Sequence, residues 1–156
     1  MGRKIVVTSG KGGVGKTTLT ASLGIAIAET GKKVVLVDAD IGLNNLDVVL
    51  AVENKVVYDV LDVISGKCRL KQALIQDVDN PTLYVLPSAK IQDSPLITAC
   101  SFRNVVDALA LNFDFVIIDC PAGIDNGFHR AVSAATEAIV VTTPHISAVR
   151  DADKVL

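Results

Sequence analysis

The segment SGKGGVGKTTL, Ser9 to Leu19, places four glycines and two lysines just ahead of two threonines. Gly10-Lys11-Gly12-Gly13-Val14-Gly15-Lys16-Thr17 satisfies the spacing G-x-x-x-x-G-K-[ST] at each fixed position. Without side chains, the glycines let backbone N–H groups turn inward around phosphate oxygens. A helix starting there adds partial positive charge. In that chemistry Lys16 meets the β- and γ-phosphates and the Thr17 hydroxyl ligates Mg2+. The candidate nucleotide-binding set is therefore Gly10, Lys11, Gly12, Gly13, Val14, Gly15, Lys16, Thr17 and Thr18. The plain alternative is a glycine-rich strand-to-helix turn that holds no ligand. Lys11 is left over, because phosphate binding of this kind uses one lysine and Lys16 already fills that place.

A metal-bound triphosphate also calls for carboxylates near the metal. Asp119 ends the apolar run FDFVIID, so it should emerge at the carboxyl edge of a buried strand, where ligands bind in open α/β sheets. The following Cys120-Pro121-Ala122-Gly123 combines a rigid proline with a flexible glycine, as suits a loop that senses a γ-phosphate. A second acidic set, Asp38 and Asp40, follows another apolar run. Residues two apart share one face in extended geometry, which would turn both carboxylates toward the nucleotide. One could hold metal-bound water while the other orients an attacking water. The alternatives are an aspartate that merely ends a strand and a solvated turn rich in Asp and Asn.

The elements that would position these groups are readable from the apolar pattern. Lys4–Thr8, Lys33–Asp38, Leu83–Leu86, Phe113–Asp119 and Ala138–Thr143 are short, nearly continuous apolar runs rich in β-branched residues, the pattern of strands buried on both faces. Leu19, Leu23, Ala26 and Ile27 recur at helical spacing after the glycine loop, with Gly31 as a C-terminal cap. Helices are also expected over Asn104–Leu111, over Gly127–Ala135 and from Ser147 onward, with shorter ones within Val56–Ser65 and Leu70–Ile75. Alternating strands and helices predict right-handed crossovers and a parallel sheet, an α/β fold with helices on both faces.

Composition fits that class. The 156 residues are 50% hydrophobic but only 4% aromatic, so the core must be built from Val, Ile, Leu and Ala. A net charge of -2 argues against constitutive nucleic-acid binding. Cys68, Cys100 and Cys120 form no CxxC pair and read as reduced thiols. His129 and His145 have no ligand partners at metal-binding spacing. No segment reaches the ~18 apolar residues of a membrane-spanning helix, and the start lacks both a signal-peptide core and the myristoylation pattern. The expected location is the cytosol. The final helical pattern stops abruptly at Leu156, so residues 1–156 are expected to form one domain that is the N-terminal part of a longer, C-terminally truncated protein.

The three motifs KGGVGKTT, DADIGLNNLD and DCPAGID occur in order, together with VVYDVLDVISG, LYVLPSAK and SAVRDADKVL. In this combination the chain resembles the deviant Walker A ATPases of the MinD/ParA family, and within it the MinD type, over essentially its whole length. The resemblance implies a P-loop NTPase-type sheet, ATP and Mg2+ as cofactors, and ATP hydrolysis coupled to dimerisation. It places the family's signature lysine at Lys11, which would reach the phosphates bound by the other subunit of a homodimer. It makes Lys11, Lys16 and Asp40 the catalytic residues, puts Thr17, Asp38 and Asp119 near the metal, and gives Gly123 the hinge of the second switch loop. Ser147, Asp151 and Asp153 fall on a partner-contacting helix. Implied partners are a MinC-like inhibitor, a MinE-like activator, and the inner face of the cell membrane through a C-terminal helix beyond Leu156. No nucleic acid is favoured. Cys120 stands where relatives carry Ser or Thr, and His145 where the MinD type carries Glu. Rival readings are a ParA-type DNA-partition ATPase, a flagellar-number ATPase, and an iron–sulfur carrier of the same fold. The last is weakened by the lack of glycine-flanked cysteines.

Overall fold

In a computed structural model, residues 1–10, 15–41, 45–90 and 94–156 are described. The elements run β1 (Arg3–Ser9), α1 (Lys16–Glu29), β2 (Val34–Asp38), α2 (Asn45–Val49), α3 (Val60–Ile64), α4 (Leu70–Ala73), β3 (Ile75–Gln76), β4 (Leu83–Leu86), α5 (Ala99–Ala110), β5 (Phe115–Asp119), α6 (Asn126–Ala134), β6 (Glu137–Val141) and α7 (Ile146–Asp153). They build one sheet in the order β3-β4-β2-β5-β1-β6, with every pairing parallel except β3 against β4.

The central strands are buried on both faces, and alternation sends successive residues to different cores. Val6, Val35, Val37, Val116 and Ile118 pack with Phe102, Val106 and Leu109 of α5, Ala131 of α6 and Val60 of α3. Val7, Val34, Leu36 and Ile117 pack with Ala21 and Ala28 of α1 and Leu46 of α2 on the other side. This is the expected α/β sheet with helices on both faces.

Several boundaries differ from the sequence expectation, each for a local reason. The strand expected from Phe113 begins at Phe115, because the backbone N–H groups of Asp114 and Phe115 both turn to the Lys33 carbonyl. The last strand ends at Val141, ahead of Pro144, instead of reaching Thr143. Helix α5 starts at Ala99, five residues before Asn104, because the Thr98 hydroxyl accepts from the Ser101 N–H and the Ser101 hydroxyl accepts from the Thr98 N–H. The expected Val56–Ser65 helix shortens to α3, capped by Asp59, whose carboxylate accepts from the N–H groups of Leu61 and Asp62. Leu70–Ile75 divides into α4 and the start of β3.

The buried face of α1 also differs. Leu19 is exposed and Ala26 faces solvent, while Thr20, Ala21, Gly24 and Ala28 are buried. Small residues face the sheet because the helix lies close on it, and a Cβ at Gly24 would fall 2.7 Å from the Leu36 side chain. Gly31 does follow the helix end, with φ 87° and its N–H on the Ala28 carbonyl. Among the described residues no helix is long and apolar enough to cross a membrane.

Candidate nucleotide site

β1, β2 and β5 all run toward the same edge, and their carboxyl ends deliver the acidic and loop residues to one place. The chain leaves β1 at Ser9, and α1 begins at Lys16. Lys11, Gly12, Gly13 and Val14 lie outside the described residues, as do Gly42, Leu43 and Asn44. Gly15 takes the N-cap position of α1 with φ 85°, a left-handed conformation that favours glycine. Gly10 is required for a different reason. A Cβ there would fall 2.0 Å from the Asp151 carbonyl carbon, since the α7 backbone lies directly against it.

The first turn of α1 meets the end of β5. The Lys16 ammonium is paired with Asp119 Oδ1, and the Thr17 hydroxyl donates to Asp119 Oδ2 at 2.8 Å. Lys16 is 8% exposed and Asp119 is wholly buried, so this is an ion pair removed from solvent. One carboxylate thus engages the two side chains assigned to phosphate and metal. Thr18 is exposed on the same turn.

Asp38, the last residue of β2, stands in register with Asp119 across the β2–β5 pairing and is also wholly buried. Its Oδ1 accepts from the Asp40 N–H at 3.0 Å and its Oδ2 from the Leu46 N–H at 3.2 Å. Among the described residues no lysine or arginine pairs with it. Burial pushes the Asp38 carboxyl up to about 7, and the Asp119 carboxylate adds to the rise.

The expected extended geometry from Asp38 to Asp40 does not hold. The strand ends at Asp38, and the chain turns so that the Asp38 carboxylate caps the Asp40 N–H. Asp40 is half-buried, and the Asn45 amide lies 3.4 Å from its Oδ2. Burial raises the Asp40 carboxyl. The Lys16 charge opposes that, and Asp119 and Asp125 reinforce it. Asp40 therefore belongs to the same electrostatic neighbourhood as Lys16 and Asp119, though a turn brings it there and not strand alternation.

Beyond β5, Gly123 lies in the stretch before α6, whose N-cap Asp125 accepts from the N–H groups of Gly127 and Phe128. Burial pushes the Cys120 thiol up to about 11, partly offset by the Thr8 hydroxyl, so it stays a thiol at neutral pH. On α7, Ser147 and Asp153 are exposed, and Asp151 pairs with Lys154 at 3.2 Å. The contact between Gly10 and the backbone of α7 had no signal in the sequence, because it joins segments about 140 residues apart.

The oxygen donors Thr17, Asp38 and Asp119 suit a hard divalent cation such as Mg2+, which takes few protein ligands and keeps waters and phosphate oxygens. The raised pKa of Asp38, a buried carboxyl with no cationic partner among the described residues, fits a place where a cation is wanted.

Comparison with known proteins agrees with this architecture. A family model described as AAA domain matches residues 2–156. The septum site-determining protein MinD of Bacillus subtilis (strain 168) is 55% identical over the whole of this chain, which covers 59% of that protein. The MinD of Pyrococcus horikoshii OT3, solved with Mg-ADP, superposes with a TM-score of 0.88 at 39% identity, covering 99% of this chain and 63% of that one. The MinC:MinD cell division complex of Aquifex aeolicus gives 0.87 at 46%, covering 98% and 61%. The chain spans between a half and three fifths of the length of the curated relatives it matches. The chain belongs to the AAA domain family and, within it, to the MinD family.

Proposed function

We propose that this chain is the nucleotide-binding part of an ATP-hydrolysing switch that dimerises around ATP and takes part in placing the division site. The observation that carries the reading is the convergence of Lys16 and Thr17 on Asp119, beside Asp38, at one edge of a parallel sheet. The Mg-ADP bound by the Pyrococcus horikoshii relative supports ATP and Mg2+ as the ligands here.

Glycine-loop N–H groups and the positive end of α1 bind the phosphates, and Lys16 exchanges Asp119 for the β- and γ-phosphate oxygens. Thr17, with Asp119 and Asp38, would hold Mg2+, which supplies charge neutralisation across the phosphates. Asp40 orients the attacking water and takes its proton, a role its raised pKa suits. Lys11 reaches the phosphates of the second subunit, so that charge is neutralised only when nucleotide and dimer are both present.

By the same reading the ATP-bound dimer recruits a MinC-like inhibitor, a MinE-like activator stimulates hydrolysis, and a C-terminal helix holds the protein on the inner membrane face. The Aquifex aeolicus MinC:MinD complex supports the first of these. Ser147, Asp151 and Asp153 supply partner contacts on α7, whose backbone rests on Gly10 and is thus tied mechanically to the phosphate loop.

The test is Mg2+-dependent ATP turnover by the full-length protein, with Asp40→Ala as the diagnostic variant. Turnover should fall on the order of 100-fold, while ATP-dependent dimerisation persists. Unchanged turnover would remove Asp40 from the mechanism.

A further inference from the structure

At the opposite edge of the sheet from the nucleotide site lies a half-open pocket of about 480 Å³, between α4 and the end of α5. It sits by the amino ends of the strands, where Lys33 precedes β2, Tyr84 is the second residue of β4 and Phe113 precedes β5. None of the three motifs reaches it, and nothing in the nucleotide chemistry uses it.

Its chemistry is two-sided. One wall is an aromatic pair, Tyr84 and Phe113, edge to face with centroids 5.4 Å apart, continued by Leu70 and Leu74. Its cations are Lys33, Arg69 and Lys71, and among the described residues no aspartate or glutamate lines it. Among the described residues none of these three side chains is in an ion pair. Among the described residues, the one carboxylate contact of Lys33 is at its backbone, where Asp114 accepts from the N–H at 2.9 Å. Its ammonium instead lies over the rings, 4.8 Å from the Phe113 centroid and 5.8 Å from that of Tyr84. A charge held on an apolar wall keeps part of its hydration but has no counter-ion.

We propose that this pocket binds a small amphipathic anion: a carboxylate or phosphate carrying an aromatic or short acyl body. The volume is that of small-molecule pockets, whereas a docked helix, ~10 Å across with side chains, needs several times the room. The body packs on Tyr84, Phe113 and Leu74. The anionic head meets Lys33 and the Arg69 guanidinium, whose fork matches carboxylate and phosphate oxygens.

The test is titration of the ¹⁵N-labelled full-length protein with octanoate, phenyl phosphate and neutral octanol, on wild type and on Lys33→Met and Arg69→Met. Retained nucleotide affinity reports that each variant is folded. Octanoate or phenyl phosphate should shift the amides of Leu74, Tyr84 and Asn112 saturably. Each variant should weaken the anions by about tenfold, and octanol should bind weakly and equally to all three proteins. Three results would overturn the assignment: no saturable shift at these amides with either anion, anion affinity unchanged in both variants, or octanol binding as tightly as octanoate. An acidic, leucine-containing peptide that bound where both small anions failed would also overturn it, in favour of a protein partner.

Discussion

Asp38 and Asp119 face each other across adjacent parallel strands, both wholly buried, and Lys16 neutralises only Asp119. Two carboxylates in such a place with one ammonium leave a negative charge uncompensated, and Asp38 responds by holding its proton up to about 7. The site is therefore poised to exchange a proton for a cation.

The first prediction concerns that exchange. Cation binding must displace the Asp38 proton, so Mg-ADP affinity should rise with pH through 7 and gain about tenfold between pH 6 and pH 8. Isothermal titration of the full-length protein at both values measures it. Asp38→Asn should bind Mg-ADP more weakly and lose this pH dependence beyond what ADP itself contributes. An identical pH dependence in the variant would show that Asp38 is not the titrating group.

The second concerns Gly10, where a Cβ would overlap the backbone of Asp151 and Ala152. Backbone cannot rotate aside as a side chain can, so Gly10→Ala must displace α7 or the phosphate loop. Denaturant unfolding should show a loss of about 3 kcal/mol, and nucleotide affinity should fall with it. A variant of normal stability and affinity would mean that α7 is not held against the loop in solution.

The third concerns Asp47 on α2, which is 4% exposed, with its Oδ1 buried and lacking a hydrogen-bond partner among the described residues. Burial pushes its carboxyl up to about 6 from the ordinary 3.8; Glu53 adds to the rise and Lys90 opposes it. The native state thus holds a proton between those values that the unfolded chain gives up. Stability from this group is present below the unfolded value and lost as pH rises through about 6. Asp47→Asn should stabilise the protein at pH 7.5 on the order of 2 kcal/mol, and the difference should vanish near pH 4. Thermal melts across that range decide it, and equal melting temperatures at pH 7.5 would contradict the account.

The alternating architecture was visible in the sequence because parallel strands buried on both faces need continuous runs of Val, Ile and Leu. What escaped was set by short-range hydrogen bonding or by tertiary contact. The start of α5 depends on a Thr98–Ser101 reciprocal cap that uses Ser in place of Glu or Gln. Strand β3 has only two residues and exists because β4 offers an edge. The buried side of α1 was misjudged because close packing on the sheet selected small residues over Leu19. At the candidate site, the residue types marked Lys16, Thr17, Asp38, Asp40 and Asp119, but the shared use of Asp119 by Lys16 and Thr17 required the register of β1 on β5, and the facing of Asp38 and Asp119 that of β2 on β5. The anion pocket draws on separate segments of the chain, from Lys33 to Phe113, and left no local pattern to find.

The central claim is that Lys11 completes the site of a second molecule. The measurement that tests it most directly is the mass of the full-length protein in solution, by light scattering with Mg-ATP and with Mg-ADP, for wild type and Lys11→Ala. The account predicts that Mg-ATP doubles the wild-type mass and Mg-ADP does not, while Lys11→Ala binds ATP yet stays monomeric. A Lys11→Ala protein that doubles its mass with Mg-ATP as wild type does would contradict it.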